Sequence, residues 1–311
     1  MKIDIVYSVV LTNDPKWKNK IEFHRKKYNI KQLNPDRYNF NNEIYISLYL
    51  LQINMEWVNN IYIITDNQKF DIDFLTPKFR KKIKFIDHKD IVPNEFLPTF
   101  NSRTIETFIW RIPDLSNYYL YMNDDFFICK RYYLSDIFDR TGKMIINVKM
   151  YKHVPNLSLY NKDKWLTPEY NAYKLLSSKE NKNIKYISSI LHSPYKFNKQ
   201  ICETVYNKYK KYINSHLTPF RDNRINKGNI NFNALVYMYS IAHNCVLYEN
   251  IKDIQIYQSF GDEQLNKFKE NIPLFLNINS IENNQVKNLV EILKIVKDNV
   301  LTDAEINARF S

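Results

Sequence analysis

The chain has 311 residues, 44% hydrophobic and 15% aromatic, with 24 Tyr and 19 Phe; this is too apolar for a disordered chain and large enough for a substantial core. Its 45 basic against 33 acidic residues give a net charge of +12, a field that attracts nucleotide sugars, phosphate-bearing polymers, acidic lipid head groups or nucleic acid without choosing among them. No run approaches the roughly 18 to 20 apolar residues of a membrane span, the N-terminus "MKIDIVYSVVLTNDPKW" meets acid and proline too early for a secretory leader, and Cys129, Cys202 and Cys245 lack the spacing of a disulfide framework or a thiolate zinc site, so the expected location is cytoplasmic.

In chain order, "KIDIVYSVVL" (2–11) begins as a strand, and "NNEIYISLYLLQIN" (41–54) has helical spacing with Asn41 or Asn42 as its cap. "NIYIITD" (60–66) and "KIKFIDHKD" (82–90) are further strands running into Asp66, Asp87 and His88. "NSRTIETFIWRI" (101–112) carries Ile105, Phe108, Ile109 and Ile112 on one helical face, and "YYLYM" (118–122) is a buried strand. This β-α-β-β-α-β order predicts an α/β fold, a Rossmann-like mixed sheet flanked by helices, of the kind that nucleotide-sugar transferases use. Beyond it, 144–154 reads as a strand, 155–190 as a loop-rich lobe, 192–213 and the stretch after Arg221 and Asp222 as helices, and 271–280 as a late strand. The expected division is one catalytic unit over 1–311, with an α/β core (1–150), a helical lobe (151–250) and a C-terminal return to the core (251–311).

Asn123, Asp124 and Asp125 stand between two apolar runs, at the end of a strand. In open α/β sheets ligands bind outside the carboxyl ends of the strands. Adjacent carboxylates repel unless a divalent metal, an arginine or a metal-bound phosphate lies beside them; alternatively Asn-Asp-Asp is a polar turn. With three glycines in the chain there is no GxGxxG and no Walker loop, and GxSxG, HExxH and EF-hand patterns are missing too.

Together "IDIVYSVVLTNDPKW" (3–17), "NEIYISLYLLQINMEWVNNIYIITDNQ" (42–68), "IKFIDHKDIVPNEFLPTFNSRTIETFIWRIPDLSNYYLYMNDDFF" (83–127), "HSPYKF" (192–197), "FRDN" (220–223) and "PLFLNINS" (273–280) resemble, in order, the conserved blocks of the Stealth family. The departures are Phe40 where an acid is common, Tyr49 where an arginine is common, and Asn279-Ser280 in place of Asn-Asp. The resemblance implies a hexose-1-phosphate transferase: a sugar 1-phosphate passes from a UDP-hexose, of the UDP-GlcNAc kind, to a sugar hydroxyl, with UMP leaving, in capsule or other cell-surface polysaccharide synthesis. It also implies roles. Asp124 and Asp125 would hold Mg²⁺ or Mn²⁺, with Asp125 also catalytic; His192 would be the base and Arg221 the phosphate clamp. Asp4, Arg37, Asn101, Ser102 and Asn123 would bind substrate. The partners would be a nucleotide-sugar donor and an oligosaccharide or polysaccharide acceptor, with peripheral contact to an anionic membrane and no nucleic acid. Two other readings stand beside this one: a metal-dependent glycosyltransferase that releases UDP, and a basic binding protein for anionic glycan or nucleic acid.

Overall fold

The computed structural model describes residues 1–30, 42–150, 167–185, 187–190, 192–220, 229–250, 253–279 and 286–298. The chain opens with β1 (Ile3–Ser8), helix α1 (Pro15–Lys27) and helix α2 (Glu43–Asn54). Strands β2 (Ile61–Thr65) and β3 (Ile83–Asp87) flank the short α3 (Pro77–Arg80), and α4 (His88–Ile91) and α5 (Ser102–Glu106) lead to β4 (Tyr118–Asn123). After β5 (Phe126–Ile128) and β6 (Ile145–Met150) come α6 (Thr167–Lys179), β7 (Ile187–Ile190), β8 (Tyr195–Asn198), α7 (Lys199–Asn214) and α8 (Phe232–Ala242). The last elements are β9 (Leu247–Glu249), β10 (Ile254–Tyr257), α9 (Asp262–Glu270), β11 (Phe275–Ile278) and α10 (Val286–Asp298).

The main sheet has the order β3-β2-β1-β4-β8; all its pairings are parallel except β4 with β8. This is the mixed α/β sheet that the strand pattern predicts. Parallel strands covered on both faces read as unbroken apolar runs, and β2 is buried along its whole length. The chain moves from β1 to β2 and β3 on one side and returns to β4 on the other, so the strand order reverses between β1 and β4. Such a switch point leaves a crevice at the carboxyl ends of its two strands.

Helix α2 has apolar residues all round because it lies between two cores. Ile44, Leu48 and Leu51 face the main one, and Ile46 and Leu50 join Phe127, Leu276 and Ile292 in a second. The second small sheet, β10-β11-β5, builds that second core. At the joint, Ser47 Oγ donates to the carbonyl of Phe126 (2.6 Å) and meets Tyr7 Oη (2.8 Å), tying α2 to β5 and β1. A third sheet, β7-β6-β9, lies on the 145–249 part of the chain. Among the described residues no helix is long and apolar enough to cross a membrane.

Two sequence expectations change, and one helix went unread. Residues 167–179, read as loop, form α6, whose inner face is Pro168, Ala172, Leu175 and Leu176; its Asn, Lys and Tyr content hides a helical spacing of four, three and one. Helix α7 starts at Lys199 with Asn198 as its cap, because Tyr195–Asn198 instead pairs with β4. Helix α1 carries no apolar periodicity to notice, since it buries only Trp17 and Ile21.

Candidate active site

A pocket of about 280 Å³ opens at the switch point. Ser8 to Val10, at the carboxyl end of β1, form one wall, and Asn123 to Asp125, at the carboxyl end of β4, form another; Trp17, Glu43, His88, Ser102, Tyr121 and Asn279 complete much of the rest. The register explains why: Ser8 pairs with Asn123, so both strands end at the same level. The acidic turn then leaves the main sheet for the second one, where the backbone carbonyl of Asp125 accepts from the N–H of Ile278 (3.3 Å) and from Asn277 Nδ2 (3.2 Å).

Three carboxylates share this pocket. Loss of solvent, then Asp125 and Glu43 nearby, push the Asp124 carboxyl well above its ordinary range. Loss of solvent also pushes Asp125 up, to about 7, with Glu43 adding to the rise and a hydrogen bond from Asn277 opposing it. The Asp125 Oδ1 atom is buried with no hydrogen-bond partner. Glu43 tolerates its place partly because it starts α2, where the helix dipole favours an anion. The described lining contains no Lys or Arg. These observations fit a divalent cation, which would replace the protons that otherwise relieve the repulsion. Among the described residues no three His, Cys, Asp or Glu side chains form a metal cage by themselves.

The predicted site residues divide. Ser102, Asn123, Asp124 and Asp125 line the pocket. His192 is not among the lining residues; it stands edge-on to Phe126, the residue that follows the acidic turn, with ring centroids 5.9 Å apart. Asn101 is fully buried behind the pocket. Its Oδ1 caps the N–H of Arg103, and its Nδ2 donates to the Thr218 carbonyl (3.1 Å) and to Asn229 Oδ1 (2.9 Å), so its side chain is spent on tying Arg103, Thr218 and Asn229 together.

Asp4 belongs at the opposite end of the sheet. Its buried carboxylate accepts from Asn59 Nδ2 (2.8 Å), the Asn60 N–H (2.9 Å) and the Ser116 N–H (2.6 Å), which closes the loops feeding β2 and β4. A buried acid in a first strand needs partners, and these are backbone and amide groups, not substrate. Arg37 and Arg221 lie outside the described residues; Phe220, next to the latter, stacks on the pocket residue Phe100 at 5.0 Å.

Glu43 and His88 are pocket residues that the sequence reading did not select. Both had a signal: Glu43 is an acid at the head of an otherwise apolar helix, and His88 follows a strand's carboxyl end. Burial pushes the His88 imidazole down to about 4, so it is neutral near pH 7, and its Nδ1 has no hydrogen-bond partner.

Residues 37–146 match the family model of Stealth protein CR2, conserved region 2. The chain is 34% identical over 245 residues to the capsular polysaccharide phosphotransferase cps1A of Actinobacillus pleuropneumoniae, covering 76% of this chain and 65% of that protein. It is 28% identical over 261 residues to the capsular polysaccharide phosphotransferase LcbA of Neisseria meningitidis, covering 79% and 68%. The chain spans less than two thirds of the length of the three Actinobacillus relatives, at 65%, 57% and 57%. Among solved structures it is similar to the galactosyltransferase LgtC in complex with donor and acceptor sugar analogs, with a TM-score of 0.45 and 8% identity over 97% of this chain and 98% of that one. The matched region 37–146 contains Glu43, His88, Ser102 and the Asn123-Asp124-Asp125 turn, and the chain belongs to the Stealth family.

Proposed function

We propose that the chain transfers a hexose 1-phosphate from a UDP-hexose, of the UDP-GlcNAc kind, to a hydroxyl of a glycan acceptor, releasing UMP, in the synthesis of a capsule or other surface polysaccharide. The observation that carries this reading is the Asp124–Asp125 pair with Glu43 in a pocket at the switch point, its lining free of Lys and Arg among the described residues. An acidic pocket does not bind a diphosphate unaided, whereas a carboxylate pair with one buried, unpartnered oxygen suits a diphosphate that arrives with a cation. Bound Mg²⁺ would neutralise the phosphoryl oxygens and the leaving phosphate.

The remaining work falls to the chain's own residues. Asp124 and Asp125 hold the cation, and Asn277 and Ile278 fix the Asp125 backbone. The acceptor oxygen attacks the phosphorus nearest the hexose, the bond from that phosphorus to the bridging oxygen breaks, and UMP departs with that oxygen. His192, packed edge-on against Phe126 beside the acidic turn, takes the acceptor's proton. Arg221 supplies a permanent charge to the transferred phosphoryl group. The bond between the anomeric carbon and its oxygen stays intact.

The test is incubation of the protein with Mg²⁺, a panel of UDP-hexoses and a mixed oligosaccharide acceptor, with nucleotide products read by mass spectrometry. UMP together with an acceptor heavier by one hexose phosphate is the expected result, lost in His192→Ala and Arg221→Ala. Release of UDP instead would make the chain a glycosyltransferase.

A further inference from the structure

The acidic pocket leaves the +12 charge unexplained. A second concavity, of about 740 Å³, runs beside β9 and contains Lys143, Lys182 and Lys185 along with Leu247 and Tyr248. Strand β9 is an edge strand whose residues are all exposed, paired only with β6. Leu247 and Tyr248 are 40% and 39% exposed, at successive strand positions and so on opposite faces of the sheet; Tyr248 is the one beside the lysines. Lys185 Nζ donates to Tyr248 Oη at 2.7 Å and lies 5.1 Å from its ring centroid, which holds the ring in place. Glu249 is the only acid in the described lining, and Asn147 Nδ2 donates to it at 3.5 Å.

We propose that this groove is a second binding site, for a glycan chain that already carries phosphodiester groups. The inference rests on the function proposed above and names its acceptor class. Three ammonium groups complement spaced single negative charges, and the exposed tyrosine ring offers a flat apolar surface to the C–H surface of a sugar ring. The volume lies in the range of pockets that enclose small ligands, and its concavity favours a chain lying in a groove over a bilayer lying on a surface. Nucleic acid would call for aromatics interleaved with the bases along its path, whereas Tyr248 is the one aromatic in the described lining. Each transfer adds one phosphodiester to the acceptor, so the product is held more tightly than the neutral starting glycan and stays near the enzyme for the next addition.

The test is fluorescence anisotropy with the full chain, using a labelled tetramer of N-acetylglucosamine joined through phosphodiesters and its neutral counterpart, chitotetraose. No nucleotide sugar is present, so lysine-dependent binding in a protein that proves inactive as a transferase separates failure of the reaction from failure of the groove. The wild type is expected to prefer the phosphodiester tetramer by about tenfold or more, the scale of three exposed ion pairs. The triple variant Lys143→Gln, Lys182→Gln, Lys185→Gln should lose that preference, and Tyr248→Ala should weaken binding of both probes. Equal affinity of wild type and triple variant for the phosphodiester tetramer would overturn the proposal. So would a triple variant that loses binding to anionic vesicles or to single-stranded RNA while keeping the tetramer.

Discussion

Asp124 and Asp125 stand where a bound cation would relieve their repulsion. Lost solvation, Asp125 and Glu43 push the Asp124 carboxyl up, and lost solvation and Glu43 push up that of Asp125, so the metal-free protein keeps protons there that the unfolded chain, with carboxylate pKa values near about 4, has already released. Stability of the metal-free form therefore falls as pH rises from there through about 7 for Asp125, and Mg²⁺ must displace protons to bind. The thermal shift caused by Mg²⁺ should accordingly grow between about pH 6 and pH 8 and vanish in Asp124→Asn and Asp125→Asn; scanning calorimetry over that range checks it. UMP release should fall by about 10²–10³ in either variant, the usual scale of a lost electrostatic contact to the transition state. A second buried charge gives the opposite slope. Lys196 is 1% exposed, and its Nζ donates to the Asp136 carbonyl at 3.0 Å. Burial pushes it down to about 8, against the pull of Glu249 and Asp136. This destabilisation is present below about pH 8 and is relieved as pH rises toward the unfolded value near about 10.4. From about pH 8 to 9.5 the wild type should gain about 1–2 kcal/mol relative to Lys196→Met, measured by urea unfolding. The Asn123-Asp124-Asp125 turn was legible because three polar groups interrupt an apolar run. Glu43 stood out as an acid heading an apolar helix, but its link to that turn was not legible, because about eighty residues separate them and only the fold brings them together.

At the scale of elements, the strands that end at the pocket were the easiest to read. β1, β2 and β4 are buried along most of their length, so their sequences are apolar runs, that of β1 broken by Asp4. Elements that bury few residues, such as α1, or that carry a polar composition, such as α6, leave little periodicity in the sequence. The segment after His192 misled for a different reason: its apolar residues suit either period, and pairing with β4 decided for a strand. Asp4 shows how an element's two ends differ. An acid in β1 belongs to the site only near the carboxyl end, and Asp4 stands near the other, clamped to the starts of β2 and β4. Asp4→Ala should lower stability by about 3–4 kcal/mol, through lost charged hydrogen bonds and stranded buried N–H groups. Turnover per folded molecule should be unchanged; equilibrium unfolding and activity normalised to folded protein test both statements. Ser47→Ala, at the joint of α2 with β1 and β5, should cost about 1–3 kcal/mol by the same measurement.

At the scale of the whole molecule, two sheets meet at the acidic turn and divide the task. The main sheet sets the crevice between β1 and β4, and the second sheet fixes Asp125 through β11. Charge is divided as well: the described pocket lining is acidic, and lysines line the separate groove beside β9. This separation suits a reaction in which a cation-borne diphosphate and an anionic acceptor approach different parts of one surface. The sequence indicated the sheet and its polar strand ends, but the net charge alone could not say where the basic residues gather. The central claim is that the hexose leaves the donor with its phosphate. It is tested most directly with a UDP-hexose carrying ¹⁸O between the anomeric carbon and the adjacent phosphorus. The account predicts that the label appears in the elongated acceptor and that the released UMP is unlabelled. Label recovered in UDP, with an acceptor that has gained hexose and no phosphorus, would contradict it.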